Sequence, residues 1–210
     1  MTSGICLLCS SRFTKASMTK HLKSCIPKSL QNQPQQQENQ AQSFFHIQVT
    51  GYHSPDYWLH LKVDSNASLG TLDQFLRDTW LECCGHLSAF SYKRSELGMT
   101  RKLKDVLEPG MELLHEYDFG TTTELLVKVF GKYEGPMERN KPIQILSRNE
   151  APEILCDECG KAPAAEICTE CQWDGRGWLC QACAKTHKCD EDMRLPVVNS
   201  PRTGVCGYTG

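Results

Sequence analysis

An α+β fold, in which paired strands and one helix carry small metal-stabilised modules at their ends, follows from three observations in this 210-residue sequence. Two apolar runs of period two precede a single apolar face of helical period, the pattern of a hairpin leading into a helix. Further alternating runs return after that helix. Cysteines gather toward the two ends in Cys-x-x-Cys pairs, whereas residues 44–155 hold only the adjacent Cys83 and Cys84.

The composition bounds the function classes. A hydrophobic fraction of 40%, a charged fraction of 23% and a net charge of −2 describe a soluble globular chain without a global field for nucleic acid or anionic lipid. No stretch approaches the roughly 18 apolar residues of a membrane helix. Residues 4–9 are too short, and lack the preceding basic region, for a signal peptide. A cytoplasmic protein without a membrane partner is expected.

The central elements are read in order. Phe45, Ile47 and Val49 alternate with Phe44, His46 and Gln48, a turn-like GYHSPD follows, and Tyr57, Leu59, Leu61 and Val63 alternate again. These runs predict a hairpin. Ser68 is placed to cap a helix whose apolar face is Leu69, Leu72, Phe75, Leu76 and Trp80, ending near Gly85. Residues 89–93 predict a short strand and residues 103–107 a helical turn before Pro109-Gly110. Residues 111–117 and 123–130 predict a second hairpin about Asp118-Phe119-Gly120. This order, ββαβ(turn)ββ over residues 44–135, resembles the β-grasp arrangement, which implies a mixed sheet on one helix.

Residues 29–43, SLQNQPQQQENQAQS, are too poor in apolar groups to offset chain entropy and predict a flexible tether. Residues 136–153 read as a polar connector. The remaining 154–210 are too few for a large apolar core, so structural metal is the expected substitute.

At the amino terminus, residues 1–28 carry Cys6-x2-Cys9-x11-His21-x3-Cys25. Two thiolates from one tight turn and a His/Cys pair one helical turn apart converge on a tetrahedral zinc. With Phe13 and Leu22 as packing residues, this segment resembles a CCHC or C2H2-type zinc finger. Its Arg12, Lys15, Lys20 and Lys23, unopposed by any acidic residue within 1–28, are candidate phosphate contacts. One finger is small for specific DNA binding.

At the carboxy terminus the ligand order is Cys156, Cys159, Cys168, Cys171, Cys180, Cys183, His187, Cys189 and Cys206. Three Cys-x-x-Cys pairs cannot share one ion, and two tetrahedral sites need eight ligands from these nine. In a cross-brace, Cys156, Cys159, Cys180 and Cys183 share one zinc. Cys168 and Cys171 then take two of His187, Cys189 and Cys206; Cys206, followed by Gly207, is favoured, with His187 and Cys189 open for the last place. A sequential pairing also fits the spacing. The region resembles B-box, RING and related treble-clef binuclear fingers. About three zinc ions per chain are expected, each contributing on the order of 10 kcal/mol to folding. Trp173 and Trp178 are expected to cover the sites.

PDYWLHLKVDSNASLGTLDQFLRDTW and LKDVLEPGMELLHEYDFGTTTELLVKV, within residues 44–135, resemble the plasmid-ORF-three-like family, the transposon-passenger group of the TnpR type. The closing LPVVNSPRTGVCGYTG is similar to the tails of its zinc-bearing members. The resemblance implies a compact prokaryotic domain associated with mobile elements and supplies no mechanism. Thr121-Thr122-Thr123-Glu124 stands where that family carries a further Trp and His.

No catalytic constellation emerges. Asp118-Phe119-Gly120 lacks the phosphate loop and lysine of a kinase and reads as a hairpin turn. Cys83 and Cys84 read as partly buried hydrophobes rather than nucleophiles beside His86. His46, His53, His60 and His115 have no short metal spacing. Closed thiolate sites activate no water, so a non-catalytic interaction protein with a protein partner is expected. The alternatives are a nucleic-acid-binding accessory factor, a ubiquitin-ligase-like adaptor and a thiol enzyme.

Overall fold

The computed structural model describes residues 2–32, 41–138 and 140–210. It is an α+β structure in which a seven-stranded sheet is covered on one face by a short helix and on part of the other by the amino-terminal module.

Strands β1 (Ser3–Ile5) and β2 (Arg12–Thr14) pair antiparallel and lead into α1 (Lys15–Gln31). The sheet is built from β3 (Ala41–Gly51), β4 (Trp58–Asp64), β5 (Ser88–Tyr92), β6 (Ser95–Leu97), β7 (Glu112–Tyr117), β8 (Thr123–Pro136) and β9 (Ile143–Arg148). Its order is β6-β5-β7-β8-β3-β4-β9.

The hairpin of β3 and β4 forms as the alternation predicts, and Phe45, Ile47, Val49, Leu59, Leu61 and Val63 all point into one core. Helix α2 (Leu69–Leu76) begins at Ser68, whose Oγ accepts the Thr71 amide at 3.1 Å. It lays Leu69, Leu72 and Leu76 on that core, then widens into a π turn over Arg77–Leu81 that buries Trp80 and Leu81. The Glu82 amide bonds to the Arg77 carbonyl five residues back, so the chain leaves the helix directly into Cys83 and Cys84.

Three features depart from expectation. The β-grasp resemblance implied a mixed sheet, but all six ladders of this sheet are antiparallel. The unanticipated β6 and the return through residues 98–111 set β7 between β5 and β8, adding a reversal, so β8 runs against β3 at the centre. Second, the expected connector 136–153 contains β9, which pairs with β4 across a bulge at His60/Leu61 and makes an edge of the sheet. Third, the expected tether 29–43 is helix through Gln31 and strand from Ala41; residues 33–40 lie outside the described residues.

The amino-terminal module is docked rather than separate. Met18, Leu22 and Ile26 of α1 bury Phe44, Trp58 and Leu146, which stand on the sheet face opposite α2. Close approach is made possible by Gly4: a Cβ there would lie 2.2 Å from the Arg148 carbonyl oxygen and 2.7 Å from the Trp58 ring. Backbone bonds from Leu7 to Leu146 and from Glu150 to Ser3 fasten β1 beside β9.

The carboxy-terminal module has a three-stranded sheet, β11 (Trp178–Leu179), β10 (Glu166–Cys168) and β12 (Arg194–Pro196) in that order, and the single turn of α3 (Gln181–Ala184). Its apolar cluster is small, centred on Cys168, Leu179 and Ala184, as expected for so short a segment.

Candidate metal centres

Four groups of four side chains place their ligand atoms within 4.8 Å of one another: Cys6, Cys9, His21, Cys25; Cys156, Cys159, Cys180, Cys183; Cys168, Cys171, His187, Cys189; and Cys83, Cys84, His86, Cys206. Together they use all 13 cysteines. None is in a disulfide.

The first group arises as the spacing predicts. The β1–β2 hairpin presents Cys6 and Cys9, and α1 presents His21 and Cys25 from one face. Cys6 and Cys25 sulfurs lie 3.9 Å apart, and Cys9 Sγ lies 3.3 Å from His21 Nε2. Phe13 stacks on His21 with ring centroids 4.2 Å apart, and Leu22 is fully buried. The turn itself is built by a bond from the Ser10 amide to the Cys6 carbonyl, 2.7 Å. Gly160 repeats that bond to Cys156 at 2.8 Å, both residues adopting positive φ, 60° and 62°.

The cross-brace pairing is the one adopted: Cys156 and Cys159 meet Cys180 and Cys183, with Cys159 and Cys180 sulfurs 4.0 Å apart. The middle pair takes both His187 and Cys189, at 3.5 and 3.6 Å from Cys171 Sγ. Cys206, favoured for that place in the sequence, stands elsewhere. The two-residue separation of His187 and Cys189 lets both reach one point after α3, whereas Cys206 lies beyond β12, against the main sheet.

The fourth group was not legible as a metal site. Cys84 Sγ lies 3.7 Å from Cys83 Sγ, 3.8 Å from Cys206 Sγ and 2.9 Å from His86 Nε2. Behind it, fully buried Arg202 donates to Asp118 at 2.7 Å, to Thr123 Oγ1 at 2.9 Å and to Cys83 Sγ at 3.4 Å. Asp118 sits in the predicted hairpin turn, its other oxygen accepting the Gly120 and Thr121 amides. Arg202 holds its carboxyl below the usual carboxylate range.

These donor sets fit zinc. Bonds of about 2.3 Å to sulfur and about 2.0 Å to nitrogen give tetrahedral edges of about 3.8 Å between sulfurs and about 3.5 Å from sulfur to nitrogen. Five sulfur pairs lie 3.6 to 4.0 Å apart, four sulfur–nitrogen pairs lie 2.9 to 3.5 Å apart, and all ligand atoms of a group fall within 4.8 Å, so the donors converge and need only small side-chain adjustments to meet an ion. Thiol acidity is shaped accordingly. Burial opposes ionisation of Cys156, but backbone amides of Cys159, Cys180 and Glu158 outweigh it and bring the thiol down to about 6. Its groupmate Cys183, bonded to Cys180 and Cys156, is pushed up to about 12. In the finger, burial and then the charge of Cys6 push Cys25 up to about 12. Four adjacent thiols resist becoming four anions on their own, and a dication removes that resistance.

The remaining predicted site residues are partly spoken for. Arg12 pairs with Glu150 and Lys15 Nζ donates to the Pro55 carbonyl, while Lys20 and Lys23 stay exposed on α1. Trp173 is 74% exposed and does not cover the neighbouring sites; Trp178 is partly buried. Among the described residues, no helix is long and apolar enough to cross a membrane.

The fold and sites define an α+β protein with four cysteine-rich groups able to hold metal. No family model matches the chain, and no curated protein matches it. A solved structure of a protein of unknown function from Methanosarcina mazei Go1 is similar at 16% identity and a TM-score of 0.42. That match covers 48% of this chain and 66%, just under two thirds, of the other.

Proposed function

We propose that this is a zinc-scaffolded, non-catalytic protein whose task is to bind another macromolecule, a protein in preference to a nucleic acid. One observation carries the reading: every cysteine belongs to a group that already supplies four protein donors. A closed tetrahedral site has no position for water or substrate, so its ion holds structure rather than performing chemistry. The surface is then the functional part. Leu7, 63% exposed at the finger's metal turn, and Trp173 are apolar side chains displayed on backbone that the metal groups rigidify. Nucleic-acid contact is the weaker reading because Arg12 and Lys15 already have protein partners, and Lys20 and Lys23 alone supply little phosphate affinity.

The test has two parts on the full chain. Elemental analysis of protein purified without added metal should find at least one zinc for each of the three groups centred on Cys6, Cys156 and Cys168. A photo-crosslinking residue at position 173 should give a discrete protein adduct in cells, absent when it replaces exposed Lys93. Fewer than three ions would overturn the scaffold; adducts to nucleic acid alone, or none at position 173, would overturn the choice of partner.

A further inference from the structure

We propose that Cys83, Cys84, His86 and Cys206 form a fourth zinc site of a different kind, an exchangeable clasp whose occupancy controls how the carboxy-terminal segment seats against the main sheet. The inference rests on the zinc-scaffold reading and deepens it by assigning a regulatory role to one site.

Ligand origin separates this group from the others. Three donors come from the five residues following the π turn of α2, and the fourth arrives 120 residues later from the far side of the carboxy-terminal module. Gly85 and Gly207, with φ of 79° and 70°, let the chain turn immediately after Cys84 and Cys206, as Gly160 does after Cys159. Arg202 supplies an independent sign of a metal site. Three thiolates, an imidazole and a zinc dication leave one negative charge, and a fully buried guanidinium donates to the Cys83 sulfur beside it. The guanidinium is shared with the Asp118 carboxylate, so this outer partner orients the ligand rather than cancelling the whole charge of the site.

Exposure makes the site exchangeable. Each of the other three groups contains at least one buried cysteine: Cys6 and Cys25, Cys156 and Cys180, or Cys168. The fourth contains none, and Cys84 and Cys206 are both exposed. A competing chelator therefore reaches its sulfurs first. The consequence is local: upstream of Cys206, Ser200 bonds to the Trp80 carbonyl and Arg148 to the Asn199 carbonyl, so the segment stays anchored there. Beyond Arg202, the Thr203 hydroxyl donates to the Val198 and Ser200 carbonyls, Gln172 donates to the Gly204 carbonyl and Tyr208 is buried, which leaves the exposed turns around Cys206, where the Val205 amide bonds to Arg202 and the Tyr208 amide to Val205. Zinc on Cys206 holds those turns in place.

The experiment uses the zinc-loaded full chain, a chromogenic zinc chelator and N-ethylmaleimide. Four ions are expected, the first leaving at least about tenfold faster than the rest. Mass spectrometry should then find Cys83, Cys84 and Cys206 alkylated together; in a parallel sample without N-ethylmaleimide, amide exchange should rise at residues 205–208 and be restored by added zinc. Cys206→Ala should hold three ions. Should that variant fail to fold, the wild-type chelation order decides alone. Three ions with Cys83, Cys84 and Cys206 already reactive, or disulfide-linked, would overturn the clasp and leave the scaffold standing. A first ion drawn from another group, or four ions with unchanged exchange at 205–208, would also overturn it. Fewer than three ions would instead overturn the scaffold reading.

Discussion

Acidification from pH 7.5 to 5.5 should destabilise this protein through two histidines that lie outside every metal group. His46 and His60 are fully buried between α1 and the sheet, with His46 Nε2 2.8 Å from His60 Nδ1. Thr19 and Gln48 complete the polar contacts of His60, Trp58 and Phe130 face the rings, and Lys23 and Lys15 add positive charge. Burial, followed by the charge of Lys23, brings His46 down to about 4; burial, then His46 and Lys15, brings His60 down to about 2. In the unfolded chain each titrates near about 6.5. Below that pH the unfolded state takes up protons that the folded state refuses, so stability falls as pH falls, until the folded values are reached. At pH 5.5 the loss is about 1.4 kcal/mol per histidine, about 3 kcal/mol for the pair. The assay is urea unfolding of wild type and His60→Gln at both pH values, with zinc content followed in parallel. Proton uptake at metal ligands is common to both proteins and cancels in the comparison. Wild type should lose about 1.4 kcal/mol more than the variant. Equal losses would refute the claim that burial keeps these rings neutral.

Three substitutions test the packing and the turns. Gly4→Ala forces a methyl group against the Arg148 carbonyl and Trp58, and thermal melting should show a loss of about 1–3 kcal/mol as the finger lifts from β9. Ser10→Gly relieves a left-handed backbone at φ 60° and should raise the finger's stability by about 1 kcal/mol without changing zinc content. Arg202→Met removes the guanidinium from Asp118 and leaves that carboxylate to the Gly120 and Thr121 amides and to His86 3.5 Å away; a loss of about 1.5–3 kcal/mol in urea is expected, whereas a loss under about 1 would show the pair to be incidental.

The parts legible in the sequence are those whose chemistry is local. Period-two and helical spacing placed the β3–β4 hairpin, the Ser68 cap and the β7–β8 hairpin, because one buried face per element sets those patterns. The three Cys-x-x-Cys pairs of the carboxy-terminal module and the finger were equally plain. What escaped was nonlocal. Strand β9 reads as a connector because Ile143 and Ile145 follow Pro142 among polar residues, and only β4, 80 residues earlier, makes it a strand. The docking of the finger had a signal that went unused: Phe44 and Trp58 lie on the sheet phase opposite the main core, and large apolar side chains there call for a cover.

The fourth metal group shows how far arithmetic could have gone. Assigning both His187 and Cys189 to the middle pair fills eight places in the carboxy-terminal module and strands Cys206. The finger uses three further cysteines, leaving Cys83, Cys84 and Cys206 as a remainder of three, with His86 two residues from Cys84. Three thiols and an imidazole make the same donor set as the finger and the middle pair, so the remainder was itself a candidate site. Spacing could not show it, since vicinal cysteines do not form the usual turn and the third lies 122 residues beyond Cys84. The fold brings them together because the π turn ends α2 beside the Asp118 hairpin turn, and Arg202 ties the closing segment to that same carboxylate. A remainder of three cysteines with a histidine beside two of them therefore points to a fourth four-donor group rather than to free thiols.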